Sequence, residues 1–523
     1  MLNYWWVTRP KRKLNSIPEV LSTFAELSLN QQWEGQRDTH LSLEDALEQA
    51  GLKRKGERRD QTGGGARTYK AWLESLGLIF TQESSNKMML TLAGEAIMAG
   101  DSPVEILKNQ ILKYQFPSSF SISRGVQVHP RFKIRPFRFL LRLLSDDRVM
   151  YLTGEEIAKV VVIDAENETE KCYESVVKKI HEFRAKGDTC LDPDFFEKYK
   201  PSKGNVNLDH PFSHLTDLAN TLVNWLDYTQ LIERETGMIR VLEEKQAEVI
   251  DILATVPPFI DRPDQHEFFQ RKYGLDPNHK KDNRNLTQTK TITAKIIAEQ
   301  KIKQAFIAES LKKPIAKITP ALVDIIADQT GFGDKLVEET LLKLYPHGAV
   351  GSFMTEYFEM AFKSREEATE FEKATVELFR DVFGFEAKHV GPIGLTPDVL
   401  LLSDTDGYQA IIDNKAYSKY TISNDHHNRM VYNYIGSLSR YSSSDAPLAF
   451  FSYIAGGFGK NIDTQIKSVV EATGVCGSGM SVSNMIKLVE CYDAKGYTHK
   501  NLRNIFSVNR QVLLSDFLGQ GCK

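Results

Sequence analysis

The sequence predicts a multidomain protein, mainly α in an N-terminal part built of winged-helix-like modules and α/β in a C-terminal domain. That prediction rests on the length of the chain, on two places where helical text runs into a short hairpin, and on two apolar β-type runs around a tight turn near residue 405. At 523 residues the chain exceeds what one hydrophobic core organises, and at roughly 100–200 residues per domain it divides into three or four units. The expected divisions are a winged-helix-like module over 1–150, a second helical module over 151–254, a helical connector over 255–350 and an α/β domain over 351–523. A hydrophobic content of 41% with 26% charged residues is that of ordinary globular chains and excludes the disordered and fibrous classes. No run of 18 apolar residues occurs, so no membrane span is expected. The opening MLNYWWVTRPKRKL places aromatics before charges and lacks the apolar core of a signal peptide. Cys172, Cys190, Cys476, Cys491 and Cys522 form no CxxC pair, which fits a reducing cytoplasm better than a disulfide framework. The eight-residue gaps between Cys172, His181 and Cys190 match no common zinc finger.

Net charge is only -3, yet residues 51–150 carry 17 Lys or Arg against 9 Asp or Glu, and residues 151–200 reverse this with 8 against 12. A local basic excess suits phosphate contacts or a merely solvated face, and charge alone does not choose between them. Within it, RTYKAWLESLGLIF (67–80) reads as a helix with Trp72, Leu73, Leu76 and Leu78 as its apolar stripe and Gly77 as its stop. LIFTQ, the polar SSN and MMLTL then read as a hairpin, followed by a helix opening at Ala93. Helix, turn, helix and wing is an arrangement that sets its second helix in the major groove of DNA, although the same fold also binds proteins. Arg58, Arg59, Arg67 and Lys70 flank that helix and are the expected DNA contacts.

The pattern recurs at 212–242, where a helix reaching Trp225 precedes TQLIERE, a Thr236-Gly237 turn and MIRVL. Between the two modules, VHPRFKIRPFRFLLRLLSDD (128–147) spaces Arg135, Arg138 and Arg142 along one helix face. Such a face suits a phosphate backbone, so Arg135 and Arg138 join the expected DNA contacts. The alternative is arginine stems lying over a core with their heads in water. Residues 255–350 open with TVPPFIDRPDQ and carry the polar run DPNHKKDNRNLTQTK, text that suits a connector; PHGAVGS (346–352) breaks the pattern before the last domain.

In that domain, SREEATEFEKATVELFRDVFGF (364–385) spaces Phe371, Val376, Phe379 and Val382 for a helix ending at Gly384. DVLLL and YQAII then flank SDTDG, a strong turn signal. If the loop is Asp404 to Gly407, Ser403 pairs with Tyr408, and stepping outward sets Asp398 opposite Asp413. Asp413 and Lys415, two apart on a strand, point to the same face. Convergent carboxylates repel unless a cation lies between them, and Mg²⁺ takes hard oxygen ligands while also binding phosphate. A lysine amine beside it can position or help deprotonate a water for attack on phosphorus. GGFGK (456–460) is no phosphate-binding loop, since Ile454 and Asn461 occupy positions that such a loop gives to glycine and to serine or threonine. His426 and His427, adjacent on a helix, face different directions and suit a polar helix start.

Pro397-Asp398 followed by Asp413-Asn414-Lys415 is the PD-(D/E)xK nuclease signature, and DNKAYS (413–418) resembles the cleavage domain of FokI-type type IIS restriction endonucleases. The resemblance runs through VELFRDVFGF, AKHVG and LAFFSYIAGGFGKN, covering roughly residues 365–490, while YWWVTRP and LKYQFPS are similar more loosely to the recognition regions of these and the related strand-nicking enzymes. It implies a Mg²⁺-dependent endonuclease with Asp398, Asp413 and Lys415 as catalytic residues, Asp398 and Asp413 as metal ligands, and a helical glutamate nearby. Glu372 matches that glutamate by ungapped comparison, and Glu377 lies one face away. It further implies double-stranded DNA as substrate, a transient dimer through the nuclease domain on DNA, and a cognate DNA methyltransferase acting on the same site. The surface expected for that dimer is the helix near 426–441, with Met430, Tyr434 and Leu438 bordered by Arg429 and Arg440, the alternative being a helix packed on its own sheet. Asn414 departs from the threonine that relatives often carry. The same features leave room for a strand-specific nickase or a DNA-binding regulator with an inactive nuclease domain.

Overall fold

The computed structural model describes residues 1–54, 62–123, 127–201, 211–235, 237–286, 294–362 and 368–518. The chain forms two compact units, Met1–Ala99 with Pro103–Gln304, and Gly100–Ser102 with Ala305–Lys523. The expected divisions after residues 150 and 254 fall inside the first unit and the one after 350 inside the second, so the segment 255–350 is shared between them.

In the first unit the helix Gly64–Ser75 buries Trp72 and Leu73, and Leu76 and Leu78 just beyond it are fully buried as well, each contributing about 1.5–3 kcal/mol. Gly77 ends this stretch with φ +69°, and a Cβ there would lie 2.6 Å from the Tyr273 ring, so the stop needs glycine for both conformation and space. The hairpin follows as β1 (Ile79–Thr81) and β2 (Met88–Leu90). The next helix runs Leu92–Met98 and starts one residue before the expected Ala93, because the Thr91 hydroxyl caps it by accepting from the Gly94 amide. Further on, β3 (Leu152–Thr153) joins β4 (Ile232–Glu235) and β5 (Met238–Val241) in a sheet of order β3-β5-β4. The helix Ser213–Tyr228 precedes β4, and its Trp225 stacks on Phe137 of the helix Pro136–Leu144 at 5.9 Å. Helix-then-hairpin text thus folds as helix and hairpin in both places; Thr236 lies outside the described residues.

The second unit is organised by one mixed sheet of order β11-β10-β9-β8-β7-β6. Its strands are β6 (Glu386–His389), β7 (Val399–Ser403), β8 (Tyr408–Lys415), β9 (Leu448–Ala455), β10 (Cys476–Ser481) and β11 (Arg510–Gln511). β6, β7 and β8 pair antiparallel through short connections, whereas β8, β9, β10 and β11 run parallel, which requires the intervening helical crossovers. One face, with Leu400, Ile411, Phe451 and Tyr453, packs against Met430, Tyr434, Ile462, Ile466 and Val469. Met430 and Tyr434 are buried there, and Leu438 packs beside them. Those three side chains therefore cover their own sheet, the second of the two readings their spacing allowed, and are not a free dimer surface. The helix Ala368–Glu377 runs by β6, β7 and β8, and Asn414, facing away from Asp413, donates to Thr375 on that helix at 2.7 Å. The helical first unit and the mixed α/β second unit fit the expected fold class at this level.

Candidate active site

The turn at 404–407 sets the register. Ser403 pairs with Tyr408 and Val399 with Ile412, and the amide of Asn414 donates to Asp398 Oδ2 at 2.6 Å. The Asp398 carbonyl in turn accepts from Val390 at 2.9 Å and from Gly391 at 3.3 Å, tying the residue between the end of β6 and the end of β8. On β8, Asp413 is 3% exposed and its Oδ2 lies 2.7 Å from Lys415 Nζ. Asp413 Oδ1 is buried with no hydrogen-bond partner among the described residues. Glu372, from the helix Ala368–Glu377, meets His389 at the end of β6, Oε2 to Nε2 2.7 Å. Gly391 leaves the space between these groups open. A Cβ there would lie 3.3 Å from Glu372 Oε2, 3.4 Å from His389 Nε2 and 3.5 Å from Asp398 Oδ1.

Charge is frustrated in this corner. Burial first, then the Asp413 and Glu372 charges, push the Asp398 carboxyl well above the usual carboxylate range against the pull of Lys415 and the Asn414 amide. Burial alone would lower the Lys415 ammonium, but Asp413 and Asp398 outweigh it and hold the proton on more firmly than usual. Tyr420, Tyr434 and Tyr453 wall the site, their phenols pushed upward by burial and by the same carboxylates. An orphaned buried carboxylate oxygen, a second carboxylate that resists ionising beside it, and an open cradle at Gly391 are what a divalent-cation site looks like without the cation. Among the described residues no group of three or more His, Cys, Asp or Glu is arranged to hold a metal; Asp398 and Asp413 are the two carboxylates that could hold one, a number that fits a hard divalent cation keeping several waters.

The other expected residues lie elsewhere. Arg58 and Arg59 are outside the described residues. Arg67 donates to the Thr62 carbonyl and hydroxyl, and Lys70 is buried in an ion pair with Glu74 at 2.7 Å. Arg135, 6% exposed, grips the Glu168 carboxylate and donates to the Pro257 carbonyl; Arg138, 9% exposed, reaches the Leu253 carbonyl at 3.3 Å. Arg142 pairs with Glu170. The face read as a phosphate ladder is thus turned onto partners within the unit, because acids some 30 residues along the chain fold back upon it. Glu377 is half-buried and points to no carboxylate of the site; its carboxyl is raised by burial.

Two side chains near the site, His389 and Tyr420, went unremarked in the sequence, and a third, His426, was given only a place in a polar helix start. His389 pairs with Val399 across β6 and β7, one step from Asp398, and strand counting from AKHVG would have found it. Tyr420 and His426 are hydrogen-bonded at 2.9 Å beside Asp413, with no strand register to reveal them.

Comparison with known proteins matches residues 331–513 to the family described as "FokI, cleavage domain". The matched residues all lie in the second unit. The resemblance to FokI-type restriction endonucleases read from DNKAYS therefore holds for this domain, and the acidic pair and Lys415 lie within its bounds. Type II restriction enzyme StsI of Streptococcus sanguinis is 25% identical over 151 residues, 27% of this chain and 25% of that enzyme. The chain thus matches about a quarter of the length of this curated relative. Among solved structures, restriction endonuclease FokI is similar at 14% identity and TM-score 0.29, over 98% of this chain and 100% of that one. FokI bound to DNA is similar at 16% and 0.29 over 88% and 83%, and the BpuJ1 endonuclease binding domain, in complex with modified DNA, at 14% and 0.33 over 55% and 90%. At these TM-scores the likeness to FokI cleavage domains rests on the match over residues 331–513.

Proposed function

We propose that this chain is a type IIS restriction endonuclease of the PD-(D/E)xK type, in which the first unit reads an asymmetric DNA sequence through its helix-and-wing modules and the FokI-type domain cuts outside it. The observation that carries the reading is the junction of Asp398, Asp413 and Lys415 at the end of the β7-β8 pair, with Glu372 and His389 at its rim. Asp398 and Asp413 would hold Mg²⁺. Bound there, the ion supplies Lewis acidity toward the scissile phosphate and lowers the pKa of water. Lys415 keeps its proton and acts as a fixed positive donor that orients the attacking water and the phosphate oxygens. Glu372, held by His389, maintains the negative lining of the entrance, and the tyrosine wall keeps bulk water from the carboxylates, strengthening every charge interaction inside.

In-line displacement fixes water, phosphorus and leaving oxygen on one axis, so one site cuts one strand. Duplex cleavage therefore needs a second FokI-type domain, brought in by transient association on DNA, and a cognate methyltransferase protects the same site in the host. Strand-specific nicking is the second reading, favoured by the burial of Met430 and Tyr434, which removes them from any shared surface. Incubating supercoiled plasmid with the protein and Mg²⁺, then sequencing the product ends, tests both. Linear product cut at a constant offset from one asymmetric sequence supports the first; nicked circles cut on one strand support the second; intact plasmid refutes both.

A further inference from the structure

Of the lysines and arginines singled out in the sequence for DNA contact, Lys70 and Arg138 are turned inward, while Arg135, bound to Glu168, lies in the lining of a cleft of the first unit. That cleft, of about 900 Å³, also carries lysines without an acidic partner among the described residues. The helix His266–Tyr273 and the segments 257–260 and 275–282 line it. Lys272, Lys280 and Lys281 stand exposed there, and among the described residues none of them pairs with a carboxylate. Deeper in, Lys113 Nζ donates to the Leu275 carbonyl at 2.6 Å, and burial pushes its ammonium down to about 7 against the attraction of Asp276.

Of the four acids lining the cleft, Glu83, Glu267, Asp276 and Asp282, the last three are committed to partners. Asp276 holds His279 at 2.6 Å. Asp282 takes both Arg271 and Arg284, and Glu267 accepts from the Glu83 amide and from Arg271. The same bonds fix the loop that carries Lys280 and Lys281. Arg284 also reaches the Leu90 carbonyl at 3.1 Å, and Gln82 holds the Leu286 carbonyl at 2.5 Å, so the two lysines project from a loop anchored on either side. A small-ligand site converges a few polar groups on one point; here the free charges are spread along an exposed rim, which suits an extended polyanion.

We propose that this cleft is where the first unit seats the phosphodiester backbone of duplex DNA, through Lys272, Lys280 and Lys281 at the rim and Lys113 within. The inference rests on the reading of the first unit as the DNA-binding part. It assigns backbone contact to a stretch whose text, DPNHKKDN, suggested only a connector.

The test is duplex binding by the full chain in EDTA, followed by fluorescence anisotropy over a series of KCl concentrations, for the wild type and for a Lys272→Gln, Lys280→Gln, Lys281→Gln variant. Each neutralised phosphate contributes about 0.9 to the slope of log K against log salt. The expected result is a slope shallower by about 2 to 3, with the same loss on a cognate and an unrelated duplex, and recovery when the three positions carry arginine. An unchanged slope, or a loss confined to one sequence, overturns the cleft assignment while leaving DNA binding by the wild type standing. A wild-type chain that binds no duplex overturns both the assignment and the reading beneath it.

Discussion

Substitutions at Lys415 and Asp398 are expected to move stability in opposite directions while each abolishes cleavage. Lys415 Nζ is 2.7 Å from Asp413 Oδ2, and the two side chains are 14% and 4% exposed. Lys415→Ala leaves Asp413 buried without its cation and beside a second acid, and stranding one member of a buried pair costs about 3–5 kcal/mol. For a unit of this size a kcal/mol moves the midpoint by about 2–4 °C, so the melting transition of the second unit falls by on the order of 10 °C. Asp398→Asn works the other way. The amide oxygen still accepts from the Asn414 N–H, but a carboxylate that burial and Asp413 drive toward protonation is gone. An acid with a raised folded-state pKa weakens the fold increasingly as pH climbs above the unfolded value. The gain from asparagine, about 1 kcal/mol, is therefore present at neutral pH and vanishes below about pH 4. Scanning calorimetry in EDTA at neutral and acidic pH, with plasmid cleavage in Mg²⁺ on the same preparations, measures both effects. A neutral-pH melting temperature for Asp398→Asn below that of the wild type would refute the reasoning, because the carboxylate would then be supporting the fold.

Three further outcomes are expected. Mg²⁺ raises the melting temperature of the wild type, by an amount equivalent to about 2.7 kcal/mol at a hundredfold excess over Kd, and fails to do so in Asp413→Asn; an equal rise in both would locate the ion elsewhere. Gly391→Ala puts a methyl 3.3 Å from Glu372 Oε2 and 3.5 Å from Asp398 Oδ1. It should slow single-turnover cleavage about tenfold through misplacement of the carboxylates with little change in melting, and an unaltered rate would exclude this corner from the reaction. Lys113, held at about 7 by burial, binds a proton less readily folded than unfolded, so wild-type stability gains a rising component between about pH 7 and pH 10. Lys113→Met should remove that rise, the Leu275 carbonyl retaining its bond from Asn109; a stability-against-pH curve that keeps it would show that this lysine is solvated.

What could be read from the sequence was local in sequence or fixed by strand parity. The loop at 404–407 carries Asp398 to the Asn414 amide by counting residues outward, and period two separates Asp413 and Lys415 from Asn414 without any knowledge of the rest of the chain. The arginines of 128–147 show where such counting ends. Their helical spacing is real, but whether a guanidinium meets a phosphate or a carboxylate was decided by Glu168 and by backbone at 253 and 257. Met430 and Tyr434 fail in the same manner, since an apolar stripe does not announce whether its cover is the chain's own sheet or another molecule. DPNHKKDN suits a connector in the sequence because nothing local reveals that Asp276 and Asp282 turn inward and leave the lysines outside.

The bond from Asn414 to Thr375, which also meets the Tyr357 hydroxyl at 2.8 Å, acts as a detent on β8. Sliding that strand by one residue would drive Asp413 into the helix-covered side and present an amide where the acid belongs. Since the detent engages from behind, on the face opposite Asp413 and Lys415, the phase of that strand end is set by the domain's own packing. Loosening it by Thr375→Val is a way to blunt the edge while every acid and lysine along it is still in place.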